Sequence, residues 1–176
     1  DLRDSHLGQD MVAVIVRADR QSTDTQGYVD VRAYEVARYI NHLSSLLETE
    51  PDILESYAYT DMIPKNSGNF PSESFYKRTI SSQRFSERSS RFINHDKSIS
   101  IILAKTDVGA NDARMNSLSK KIRSHIDSVG HPPGMQVQVT GTPIIQQRLG
   151  ELINTDRSVT QQISTILVFI IIVLIF

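Results

Sequence analysis

The sequence predicts an α+β fold in which two tandem βαβ units build one four-stranded antiparallel sheet with helices against it. Two observations predict it. The apolar period changes from strand-like to helix-like and back twice, in two segments of similar size. The first and third strand candidates, which lie at the centre of such a sheet, are also the two most apolar stretches in this part of the chain.

"MVAVIVRA" (Met11–Ala18) is almost wholly apolar and β-branched, which predicts a central strand buried on both faces. From Asp30 the period lengthens. Ala33, Val36, Ala37, Ile40, Leu43 and Leu47 recur at helical steps, with Asp30 placed to cap the helix and Pro51 to end it. "DILESYAYT" (Asp52–Thr60) alternates loosely, as an edge strand does. Residues 61–97 break the pattern: they are serine-rich, carry Pro64, Gly68 and Pro71, and have no long apolar period. They read as an insertion with one or two short helices, one of them placing Phe85, Ser89 and Phe92 on a single side. Its mild excess of cations reads as a solvated surface. "SISIILAK" (Ser98–Lys105) predicts the third strand. Met115, Leu118, Ile122, Ile126 and Val129 then predict an amphipathic helix closed by Gly130. "MQVQVTG" (Met135–Gly141) alternates strictly, as a half-buried edge strand. This order is the ferredoxin-like βαββαβ layout.

After the sheet, Thr142 and Pro143 suit a helix start, and Ile144, Ile145, Leu149, Leu152 and Ile153 form an apolar stripe. The chain closes on "ISTILVFIIIVLIF" (Ile163–Phe176), which carries no charge. A bilayer core needs about 20 apolar helical residues, and this run is shorter, so a buried C-terminal helix is the competing reading. A run apolar on every side with no capping or stop residue favours a truncated transmembrane helix. Residues 143–176 are thus expected to be a stalk helix and the start of a membrane span. The non-methionine start and abrupt finish suggest a piece of a longer protein.

Composition excludes several functions. The chain has 176 residues, 39% of them hydrophobic and 22% charged, a formal net charge of -1 and no cysteine. General affinity for nucleic acid is not expected at that charge, and the two central strands lack the aromatics of an RNA-binding sheet. Disulfides, thiol catalysis and cysteine metal sites are excluded. The five histidines are widely separated without metal-ligand spacing, and His95 beside Asp96 reads as part of a turn. No phosphate-binding loop, dinucleotide fingerprint or nucleophile elbow occurs. Arg17 and Arg20 stand near the end of the first strand without the glycine-rich cradle that a ferredoxin-like phosphatase would need. No enzyme activity, cofactor or metal is expected.

Three stretches carry a family likeness. "VTGTPIIQQRL" (Val139–Leu149) is a strand-to-helix junction with a Gly-Thr-Pro step, "FINHDKSISIILAKTD" (Phe92–Asp107) a polar turn before the third strand, and "ISTILVFIIIVLIF" the outer half of a membrane span. In these the chain resembles the extracytoplasmic porter domain of a resistance–nodulation–division (RND) superfamily exporter, of the hydrophobe/amphiphile type related to the mycobacterial large membrane proteins. The resemblance implies residues 1–142 as a porter domain outside the cell membrane, with the insertion at about 61–97. It implies transport of hydrophobic or amphiphilic compounds driven by an ion gradient. The implied partners are the remainder of the same transporter chain, the lipid bilayer and a hydrophobic or amphiphilic small molecule or lipid, with room for a homo-oligomer. A membrane-anchored binding or sensor domain, or a domain of a protein-export accessory factor, is the alternative. Within the insertion, Phe70, Phe75, Tyr76, Phe85 and Phe92 are the candidate substrate contacts. The competing role for them is to pin the insertion to the sheet.

Overall fold

The computed structural model describes residues 11–19, 27–65, 68–108 and 112–141. Four strands, β1 (Met11–Ala18), β2 (Ile53–Tyr57), β3 (Ile99–Thr106) and β4 (Met135–Gly141), form one sheet in the order β2-β3-β1-β4, with every neighbouring pair antiparallel. Four α-helices accompany it among the described residues: α1 (Tyr34–Leu47), α2 (Glu73–Ile80), α3 (Gln83–Ser89) and α4 (Asp112–Val129). The architecture is therefore mixed α/β, with the apolar strands β1 and β3 central as the sequence predicted.

One expectation is corrected. β1 is not buried on both faces, and β3 beside it shows the same alternation. Val12, Val14, Val16 and Ala18 are buried, while Ala13 and Ile15 between them are half-buried; on β3, Ser100, Ile102, Ala104 and Thr106 are buried and the alternate positions half-buried. The physical reason is that the sheet is entirely antiparallel, so one face suffices to anchor the helices. That face continues onto β4, where Met135, Val137 and Val139 stand opposite Ala18, Val16 and Val14. Val36, Ile40, Leu43 and Leu47 of α1 and Met115, Leu118, Ile122 and Ile126 of α4 complete a single core. Each such side chain contributes about 1.5–3 kcal/mol on burial. The predicted stripes of both helices are thus the packed ones.

The first turn of α1 differs from expectation. The helix begins at Tyr34, not at Asp30, and Ala33 holds the capping position without a side-chain bond. Asp30 is occupied elsewhere. Its carboxylate accepts the Arg32 backbone N–H at 2.8 Å and pairs with the Arg32 guanidinium at 2.8 Å. Burial would raise the Asp30 carboxyl, but these bonds hold it below the usual carboxylate range.

The insertion folds onto the body through tyrosine hydroxyls. β2 ends earlier than the sequence suggests, and Tyr59–Met62 turn instead into a short 3-10 helix. The Tyr59 hydroxyl donates to the Val31 carbonyl at 2.8 Å, Tyr76 of α2 to the Arg32 carbonyl at 2.7 Å, and Tyr34 to the Pro71 carbonyl at 2.9 Å. The Tyr76 and Tyr34 bonds thus tie the insertion to the start of α1, and Tyr59, just before the insertion, bonds the same loop. Burial pushes the Tyr76 hydroxyl up to about 12 and Tyr59 well above its ordinary value, so both stay neutral donors. Ser82 caps α3 by accepting from the Phe85 backbone N–H.

Register fixes which end of the sheet is which. Val12 pairs with Gly141, so the chain enters β1 and leaves β4 side by side. At the opposite end, Ala18 pairs with Met135 and Arg17 with Ile99. The turn before β4 and the return of the insertion into β3 lie at this distal end. So does the start of α1, where the Val31 N–H donates to the Lys97 carbonyl. Among the described residues, no helix is long and apolar enough to cross a membrane. The expected stalk and span, residues 143–176, lie outside the described residues, as do Thr142 and Arg20.

Candidate functional site

The distal end carries a cleft of about 660 Å³ between α1 and the turn that joins α4 to β4. Glu35, Arg38, Tyr39 and His42 face it from α1, at the three- and four-residue steps that place side chains on one side of a helix. Val129, His131, Pro132 and Pro133 form the opposite wall. Tyr28 and Phe70 contribute aromatic surface. The volume lies within the range of small-molecule sites, and the mixture of apolar walls with a few polar groups suits an amphiphile.

Close backbone packing builds the far wall. Gly134 lies against Gly27 so tightly that a Cβ there would come within 2.7 Å of the Gly27 Cα, and its φ of +73° is itself a glycine conformation. The Tyr28 N–H donates to the Pro133 carbonyl at 2.9 Å and the Asp19 N–H to the Gly134 carbonyl at 2.7 Å, locking that crossing.

The charges in the cleft divide into a paired and an unpaired set. Arg38 and Glu35 form an ion pair at 3.2 Å, and the Arg38 guanidinium also stands 5.9 Å from the centre of the Tyr34 ring. His42 and His131 are exposed and make no hydrogen bond or ion pair among the described residues. Tyr39 is only 6% exposed, and its hydroxyl has no hydrogen-bond partner among them. Burial, reinforced by the charge of Asp127, pushes it up to about 12, so it stays protonated.

The five candidate aromatics have different surroundings. Phe70 is half-buried, lines the cleft and packs against Tyr34 and Tyr76 with ring centres 5.8 and 5.7 Å away. Phe75 is 43% exposed on α2. Tyr76 is fully buried, and Phe85 sits edge-on to Tyr59 at 6.2 Å with little exposure. Phe92 is half-buried where its carbonyl accepts the Ile101 N–H. Only Phe70 belongs to the cleft.

Other chemistry is sparse. His95 is fully exposed beside Asp96, in a turn organised by Asn94, whose side-chain oxygen accepts from the Ser98 and Ile99 N–H groups at 2.9 Å. Arg17 donates to Gln136 at 3.0 Å. No cluster of three or more metal-ligating side chains occurs among the described residues. At the end where the chain enters and leaves, Glu50 accepts from Lys121 at 2.8 Å and bonds His125 at 2.7 Å, joining the turn after α1 to α4.

Sequence reasoning missed most of the cleft. Tyr28, Arg38, Tyr39, His42 and His131 carry no motif. His42 and His131 are far apart in sequence and meet one cleft only because α1 and α4 pack side by side. The run Gly130–Gly134, two glycines around two prolines, signalled a tight turn but not what the turn would face.

Comparison with known proteins places this architecture in a class. The sequence profile of the MMPL family matches residues 5–176, nearly the whole chain. The putative membrane protein MJ1562 of Methanocaldococcus jannaschii is 25% identical over 177 residues, an alignment that takes in 100% of this chain and 45% of the relative. The chain thus spans less than half the length of the curated relative it matches. It belongs to the MMPL family.

Proposed function

We propose that this chain is the extracytoplasmic, substrate-handling domain of an ion-gradient-driven RND-type transporter for hydrophobic or amphiphilic compounds, and is not an enzyme. The observation that carries this reading beyond family membership is the pairing of Val12 with Gly141. A domain whose chain arrives and departs side by side at one end suits insertion between two consecutive membrane helices. The strand order β2-β3-β1-β4, together with the two long helices, fits a ferredoxin-like body hung in this way. Its distal end would then project away from the membrane, carrying the cleft and the insertion.

In this reading residues 1–142 are the porter body, residues 143–176 the stalk and first part of a span, and the cell membrane the location. The domain works with the rest of its own chain, the bilayer and the transported molecule. Phe70 is the substrate contact in the cleft, and exposed Phe75 a second contact on the insertion's surface. Tyr76, Phe85 and Phe92 would reach substrate only if the insertion shifts. The test is extrusion of a hydrophobic fluorescent dye by cells producing the full transporter. Phe70→Ala with Phe75→Ala is expected to slow extrusion severalfold at unchanged protein level. An unchanged rate would remove these two residues from substrate handling.

A further inference from the structure

The cleft has a charge balance that changes in one direction only. Glu35 and Arg38 on α1 are paired with each other. Tyr28 and Tyr39 contribute no charge at neutral pH. Asp127 of α4 acts on the Tyr39 hydroxyl and lines a separate, more polar cleft beside β4. The remaining titratable groups on the cleft, His42 of α1 and His131 of the turn after α4, can only add positive charge as pH falls. Both are exposed and without partners among the described residues, so nothing there neutralises them when they are protonated.

The aromatic surface of Phe70 and the imidazole of His42 are also offset along α1. Seven residues separate Glu35 from His42, so the cleft runs about 10 Å along α1. Phe70 sits at the start of this run, against Tyr34, and His42 at its other end. On the facing wall His131 is followed by Pro132 and Pro133. A molecule lying along α1 can therefore set an apolar chain on the aromatic surface of Phe70 and meet an imidazole from either wall.

Resting on the exporter reading, we propose that the distal cleft binds a single-chain amphiphile with an anionic head, and that binding strengthens when His42 and His131 are protonated. A carboxylate, phosphate or sulfonate head satisfies the same chemistry.

The test uses the full-length protein in lipid nanodiscs and two photoreactive probes. One is a long-chain alkyl sulfonate carrying a diazirine, whose head stays ionised throughout; the other is the corresponding neutral alcohol. Labelling at roughly pH 5.5 and 7.5 is mapped by peptide mass spectrometry. Sulfonate adducts are expected on 27–42, 68–72 and 129–134, rising about fivefold at the lower pH, while alcohol labelling stays level. His42→Gln combined with His131→Gln should flatten the pH response and leave alcohol labelling intact. Both changes fall on exposed side chains, so folding is not at stake. Sulfonate adducts absent from these segments, or a pH response that survives the double substitution, would overturn the proposal. Labelling elsewhere on the domain but not here overturns the cleft alone and leaves the exporter reading standing.

Discussion

Glu50 shows how one side chain couples two elements. Hydrogen bonding from Lys121, helped by His125, holds its carboxyl below the usual carboxylate range even though burial works the other way. In the unfolded chain Glu50 takes a proton near its ordinary value of about 4.3, whereas in the fold it resists protonation to lower pH. The stabilisation is therefore fully present above the ordinary value and is lost as pH falls through the depressed one. Urea unfolding across that window should show an acid-side decline that Glu50→Gln largely removes; an equal decline in the variant would contradict the coupling. Tyr76 gives a second prediction. Tyr76→Phe leaves the Arg32 carbonyl without its donor at a cost of about 1 kcal/mol, lowering the melting temperature by about 2–4 °C. At this scale the sequence was least informative. Tyr59, Tyr76 and Tyr34 bond backbone carbonyls remote in sequence, and no side-chain pattern marks a carbonyl acceptor.

Elements were more legible, because strands and long helices announce themselves through a repeating apolar face. β1 and β4 begin and end where alternation and β-branching place them, and the stripe of α4 is the stripe that packs. Leu118→Ala at the centre of α4 should cost about 2–5 kcal/mol, whereas Ser117→Ala on its exposed side should change stability by less than about 0.5 kcal/mol. Equal effects in chemical unfolding would mean that α4 does not pack as described. The insertion was less readable. α2 and α3 are too short to show a full apolar period, and α2 buries only Tyr76. The first turn of α1 was misjudged because Arg32, two residues after Asp30, competes for the carboxylate that would have capped the helix. Gly134 tests the wall of the cleft. Gly134→Ala adds a methyl against Gly27 in a backbone region that alanine avoids, so it should lower the melting temperature and weaken probe labelling on 27–42 together.

At the scale of the whole molecule, the organising fact is that the chain enters and leaves at one end while the cleft and insertion occupy the other. The two tandem βαβ units were visible in the sequence, since period and order suffice to predict them. The cleft was not, because it depends on helix packing and on a turn crossing Gly27. The most direct test of the account is the side of the membrane on which this distal end lies. The chain has no cysteine, so a single Ser86→Cys on exposed α3 gives a specific handle. Intact cells producing the full transporter, with that residue as the only cysteine, are treated with a membrane-impermeant maleimide before and after lysis. Full labelling of Ser86→Cys is expected in intact cells. Labelling only after lysis would place the domain inside the cell and contradict it.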